Sequence, residues 1–158
     1  MSICELSPQE FFNQLIERHD LEINKTYDFL TNWSLDFERI NETQDFLTMV
    51  KRKHSVGIVS NIYTGMYEKF ISYGILPNVE YDYFFASCDI GYRKPDLSIF
   101  RYIEQQTKMK KQEILLIDDS LENINAASLL GWRTYRFDTY NPSRSIQVIK
   151  TLLSPLIS

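Results

Sequence analysis

Three short apolar runs set the limits on what this chain can become, VGIV at 56–59, YFFAS at 83–87 and EILLID at 113–118, and a fourth strand, RTYRF at 133–137, follows them. Stretches with helical spacing lie between them. Tyr67, Phe70 and Ile71 mark the first, Leu97, Phe100 and Ile103 after Pro95 the second, and Leu121, Ile124 and Leu129 the third. Gly131 stands where a helix C-cap is expected, and Asn141–Pro142 opens a last helix carrying Ile146, Ile149 and Leu153. A strand that is apolar at successive positions has no face to give to water. A helix between two strands returns the chain so that the next strand runs in the same direction. The alternation therefore predicts an α/β fold, a parallel sheet with helices on both faces, three layers in all. In such sheets the loops at the carboxyl ends of the strands gather the chemistry.

Ahead of this region the pattern is helical. Residues 8–19 carry Phe11, Phe12, Leu15 and Ile16 at helical spacing behind Ser7 and Pro8, and a second aromatic helix is expected through Tyr27, Leu30 and Trp33. Asn41 with Gln44 three residues on reads as a capping box for a helix bearing Phe46, Leu47 and Val50. The cluster Lys51, Arg52, Lys53 and His54 falls at its C-terminus, where cations oppose the helix dipole.

A chain of 158 residues with 44% hydrophobic content suits a single domain with a real core. Seventeen basic against 21 acidic residues leave a net charge of −4, so no basic footprint for nucleic acid or an anionic membrane is present. The strong apolar runs are about a strand long, ILLI at 114–117 for example, against the roughly 20 residues of a membrane span. The opening MSICELSPQEFF has neither the basic leader nor the apolar centre of an export signal, and Cys4 and Cys88 share no metal or redox spacing. The expectation is a reduced, cytoplasmic chain.

The strand ends are the informative positions. The first run is followed by Ser60 and Asn61, the stretch after the second by GYRKPD with Lys94, and the third by Asp118 and Asp119. Taken singly, each has an ordinary account: a turn, a solvated lysine, a helix N-cap. On neighbouring strands they bring a hydroxyl, an amide, an ammonium and two carboxylates to one crevice. A hydroxyl and a lysine suit phosphate oxygens, and adjacent carboxylates suit a hard cation such as Mg²⁺.

These segments resemble the haloacid dehalogenase-like (HAD) hydrolase superfamily. GIVSN at 57–61 looks like its second motif, Lys94 in GYRKPD with SIF at 98–100 like its third, and LLIDDSLENINAASLLGW at 115–132 like its fourth. The resemblance implies a Rossmann-like core over 41–158 and part of a helical cap over 1–40. It implies that Ser60, Asn61 and Lys94 hold phosphate, that Lys94 also steadies the nucleophile, and that Asp119 binds Mg²⁺ directly with Asp118 acting through water. Asn123 occupies a polar position also seen in the fourth motif. The acidic pair points to the metal-dependent phosphatase branch, and the implied substrate is a small phosphorylated metabolite.

The first motif of that superfamily, Asp-x-Asp at the end of an apolar strand, has no counterpart: no two aspartates in the sequence stand two residues apart. Its first aspartate takes the phosphoryl group and its second handles the leaving-group proton. Its strand would be central, between those ending at Ser60 and Asp118. The expectation is a truncated hydrolase that binds Mg²⁺ weakly and turns over little alone. The sheet gap would be closed by direct pairing, by a second copy in a homodimer or by a complementing N-terminal segment. The alternative is a non-catalytic binding module on a degenerate core of the same kind. A response-regulator receiver, which ILLIDDS also suggests, fails because too few residues follow Asp119 for its remaining strands. No G-x-S-x-G, G-x-G-x-x-G or Walker lysine occurs, and His19 and His54 stand as single histidines.

Overall fold

A computed structural model describes residues 7–22, 24 and 27–153; Cys4 lies outside them. Helix α1 (Pro8–His19) starts as its sequence predicts. Glu10 N–H donates to Ser7 Oγ at 3.2 Å and Ser7 N–H to the Glu10 carboxylate at 2.7 Å. Helix α2 (Phe29–Leu35) begins after Asp28, whose carboxylate accepts from Thr31 N–H at 2.9 Å, so Tyr27 precedes the helix. Helix α3 (Glu42–Lys51) departs from expectation in its cap. Asn41 already has helical angles (φ −59°, ψ −37°), which turn its side chain away from the free N–H groups. Gln44 reaches outward instead and accepts from Asn78 N–H at 2.7 Å.

Strands and helices then alternate: β1 (Gly57–Ser60), α4 (Met66–Ser72), β2 (Tyr83–Ala86), the short α5 (Ser87–Ile90), α6 (Leu97–Thr107), β3 (Leu115–Asp118), α7 (Leu121–Leu129), β4 (Arg133–Arg136) and α8 (Pro142–Leu153). Every strand pairing is parallel. Gly57 lies opposite Tyr83 and Ser60 opposite Ala86; Leu115 lies opposite Arg133 and Asp118 opposite Arg136. Gly57 permits the close start of the first pair, because a Cβ there would sit 3.1 Å from the Tyr83 Cβ.

Two apolar clusters cover the strands. One joins Phe85, Ile99, Phe100, Ile103, Leu116, Ile124 and Trp132, contributed largely by α6, α7 and the strands. The other joins Phe46, Val50, Val56, Ile146 and Ile149 from α3, α8 and the residue before β1, with Leu115 packed against it. Successive residues of a strand point to opposite faces, so Leu115 and Leu116 assign the clusters to opposite sides of the strands. The three layers expected from the sequence are therefore present. The sheet itself differs from expectation. Among the described residues it is two separate two-stranded halves, β1–β2 and β3–β4, with no hydrogen bonding between β1 and β3.

Helices α1 and α2 pack together through a row of rings that reaches the loop after β1. Phe12 stacks on Phe29 at 4.8 Å, Phe29 meets Trp33 at 5.5 Å, and Trp33 meets Tyr63, in the loop after β1, edge-on at 5.5 Å. No helix among the described residues is long and apolar enough to cross a membrane.

Asp82 anchors the start of the first half-sheet. Its Oδ2 accepts from Val56 N–H at 2.7 Å, its own N–H donates to Val56 O at 2.8 Å, and its Oδ1 pairs with Lys51 Nζ at 2.5 Å. The Lys51 hydrogen bond and the Val56 N–H hold the Asp82 carboxyl below its ordinary 3.8, against a small opposing effect of burial. Asp82→Asn keeps an acceptor and loses the charge, for an expected loss of about 1 kcal/mol at neutral pH after solvent screening. A depressed folded-state value contributes stability above 3.8 and loses it as pH falls through the lowered value. Urea melts of the two proteins should therefore differ at neutral pH and converge on strong acidification; a gap that stays constant would refute this role.

Candidate functional site

The carboxyl ends of β1 and β3 are joined through one lysine. Ser60 is the last residue of β1, and Asn61 follows it into the loop. Asn61 Oδ1 accepts from Lys94 N–H at 2.9 Å, and Asn61 Nδ2 donates to Lys94 O at 2.7 Å. One amide thus grips the main chain of Lys94 on both sides, ahead of the cis Lys94–Pro95 bond. From this position Lys94 Nζ reaches Asp118 Oδ2 at 2.6 Å. The two side chains are only 11% and 6% exposed, so the pair is largely withdrawn from water.

Asp118 ends β3, and the turn into α7 saturates its other oxygen. Oδ1 accepts from Ser120 N–H and from Asn123 Nδ2, each at 2.9 Å. Ser120 occupies the N-cap position of α7 without a side-chain cap of its own, so Asp118 serves donors of the first turn from outside the helix. Burial pushes the Asp118 carboxyl up, but the hydrogen bonds from Lys94 and Asn123, the Lys94 charge and the Ser120 N–H together outweigh it and hold the group below its ordinary value.

Asp119 behaves differently. It is exposed, and it lines the same cleft as Asp118. Its main-chain oxygen accepts from Arg136 Nε at 3.0 Å. Arg136 is a cation at this end of the strands that the sequence reading did not single out. The only sequence signal for it is its place at the end of RTYRF, in register with Asp118.

Of the residues singled out in the sequence, Asn61, Lys94, Asp118 and Asn123 therefore form one bonded network, with Ser60 and Asp119 adjoining it along the chain. Among the described residues no group of three or more His, Cys, Asp or Glu is placed to hold a metal ion. Two carboxylates are compatible with Mg²⁺, which keeps several waters and often takes one or two protein carboxylates together with phosphate oxygens. Asp119 has the open carboxylate; both Asp118 oxygens are already engaged.

The ion pair has a measurable consequence. Lys94→Met should destabilise the chain by about 2 kcal/mol, below the usual cost of breaking a buried pair because Ser120 and Asn123 still satisfy one Asp118 oxygen. The Asp118 carboxyl should titrate at higher pH in the variant, as read by carboxyl carbon NMR. The double variant Lys94→Met, Asp118→Asn should recover part of the lost stability. Unchanged Asp118 titration in Lys94→Met would refute the coupling.

Comparison with known proteins adds family context to this geometry. A HAD family enzyme from Bacteroides thetaiotaomicron, solved with magnesium and inorganic phosphate, superposes with a TM-score of 0.72 at 21% identity, over 84% of this chain and 70% of that one. A predicted HAD-like family hydrolase from Porphyromonas gingivalis gives a TM-score of 0.72 at 24% identity, over 93% and 76% of the two chains. At these identities the likeness is one of fold. Among curated relatives, a drimenol cyclase of Aspergillus calidoustus is 37% identical over 57 residues, and a sesquiterpene phosphatase of Aspergillus oryzae is 39% identical over 51 residues. Those matches take in 36% and 32% of this chain, and they span only 11% and 26% of the relatives' lengths. The family profile of haloacid dehalogenase-like hydrolases matches residues 1–137, and the chain belongs to that family.

Proposed function

We propose that this chain carries the phosphate- and magnesium-binding half of a phosphatase acting on small phosphomonoesters with an apolar alcohol. The observation that carries the reading is Lys94, fixed by Asn61 and aimed at Asp118 at the mouth shared by β1 and β3. In this reading Lys94 and the Ser60 hydroxyl hold the phosphate, Asn61 positions Lys94, and Asn123 keeps Asp118 oriented. Asp119 would hold Mg²⁺, with Asp118 assisting through water, and the ion would supply charge neutralisation on the phosphate oxygens. The Asp118 oxygens, already taken by Lys94, Ser120 and Asn123, favour that division of labour.

The apolar alcohol is supported by two observations. The relative from Aspergillus oryzae is named a sesquiterpene phosphatase. The row Phe12, Phe29, Trp33 and Tyr63 runs through the helices α1 and α2 to the loop that follows Ser60. Aromatic faces of this kind suit an isoprenoid chain better than a sugar.

The attacking group is the missing part. With Asp118 engaged and no Asp-x-Asp in the sequence, no carboxylate of the network is free to form a phosphoryl intermediate. The chain as given is therefore expected to bind ligand and not turn it over. A second reading, a binding module without catalysis, is favoured by the lack of a third acidic group beside Asp118 and Asp119 among the described residues.

Titration calorimetry with farnesyl monophosphate and Mg²⁺ tests the binding half. Saturable, Mg²⁺-dependent binding is expected, weakened at least tenfold by Lys94→Ala, with Trp33→Ala weakening farnesyl monophosphate more than a sugar phosphate. Phosphate release should be undetectable in this chain and should appear when an apolar strand ending in Asp-x-Asp is fused ahead of residue 1. If the fused protein folds and stays inactive, the binding-module reading takes over; if neither protein binds phosphate, both readings fall.

A further inference from the structure

The chain is acidic overall, yet its cations are unevenly placed. Helix α3 ends at Lys51 and leads through KRKH at 51–54 into β1, and α6 ends at Thr107 and leads through KMKK at 108–111 into β3. These runs are far apart in sequence, but both arrive where strands begin. Val56, two residues past the first run, belongs to the apolar cluster on which Leu115 packs, four residues past the second. His54 and Ser55 line the same cleft as Thr107 and Met109. The fold thus gathers two basic segments at the amino ends of β1 and β3.

Five of these cations, Arg52, Lys53, Lys108, Lys110 and Lys111, are exposed. Among the described residues the ion pairs are Lys51–Asp82, Lys69–Asp28 and Lys94–Asp118, and none of the five takes part in one. Helix dipoles account for a fraction of them. A helix C-terminus carries about half a negative charge, so the ends of α3 and α6 together offset about one cation. The end of α8 has its own partner, because Arg133 donates to Leu152 O. Glu113 is the acid within the second segment, and its carboxylate is engaged by the Lys110 N–H at 2.9 Å. A surplus of positive charge therefore faces solvent from two loops at once.

The surroundings select the partner. A nucleic acid or a bilayer extends well past these two loops and would meet the remainder of a chain whose net charge is −4. Neither run carries a Phe, Tyr or Trp on which bases could stack. A short run of carboxylates matches the loops without reaching the acidic remainder. We propose that Arg52, Lys53, Lys108, Lys110 and Lys111 form a docking face for a short acidic segment of a partner protein. The face lies at the opposite end of the strands from Lys94 and Asp118, so it stands whether or not the phosphatase reading does.

The test uses the full chain and a fluorescein-labelled octapeptide of alternating Glu and Asp, with its Gln and Asn counterpart as control. Anisotropy should show saturable binding of the acidic peptide and none of the neutral one, weakened about tenfold between roughly 50 and 200 mM salt. Amide NMR shifts should move at 52–54 and 108–111 and stay fixed at 60–61, 94 and 118–119. The double variants Arg52→Gln, Lys53→Gln and Lys110→Gln, Lys111→Gln should each weaken binding about fivefold with unchanged thermal melts. Arg144→Gln, an exposed cation at the start of α8, should leave binding unchanged. Four results would overturn the proposal: no binding of the acidic peptide at low salt, equal binding of the neutral one, loss of binding through one double variant and not the other, or tighter binding to a DNA duplex or to phosphatidylserine vesicles than to the peptide.

Discussion

Lys94 holds the two halves of this molecule in register. Its main chain is gripped by the Asn61 amide at the end of the first half-sheet, and its ammonium is paired with Asp118 at the end of the second. No strand-to-strand hydrogen bond between β1 and β3 does this work. Below the lysine, the halves are joined by apolar packing on both faces, through Val56 and Leu115 against α3 and α8 and through Phe85 and Leu116 in the cluster around α6 and α7. A directional clamp at one end and a non-directional cluster at the other leave the middle open. The cleft between the strands is the geometric result of that arrangement.

The same lysine sets the electrostatics of the site. Withdrawn from water, an unpaired Asp118 carboxylate would be costly; paired with Lys94 and donated to by Ser120 and Asn123, it stays ionised. That leaves Asp119 as the carboxylate still open to the cleft. Two neighbouring aspartates, alike in sequence, thus acquire different tasks from their surroundings, one saturated and structural, the other available. Family membership places this network in a haloacid dehalogenase-like hydrolase.

Much of this was legible in the residues. The continuous apolar runs announced parallel strands, because a strand without a polar face must be covered on both sides. Ser7 and Glu10 announced the first helix, since reciprocal capping needs only local spacing. The cap at Asn41 was misread for a related reason: Gln44 is bonded to Asn78, more than thirty residues away, and no local pattern reports that contact. At the site, Lys94 and the two aspartates stood out through their positions after apolar runs. Arg136 did not, because a terminal arginine on an edge strand looks like any solvated charge until its neighbours are known.

Local order, strand direction, layer number and the set of polar residues at the strand ends were determined by the sequence alone, since each depends on side-chain period and on the cost of exposing apolar surface. Only the tertiary structure decided that Asn61 grips the Lys94 main chain, that Asp118 and not Asp119 takes the ammonium, and that β1 and β3 stand apart. Those outcomes depend on contacts between segments about 24 to 60 residues apart, and such contacts follow from how helices on both faces place the strands, which no local spacing encodes.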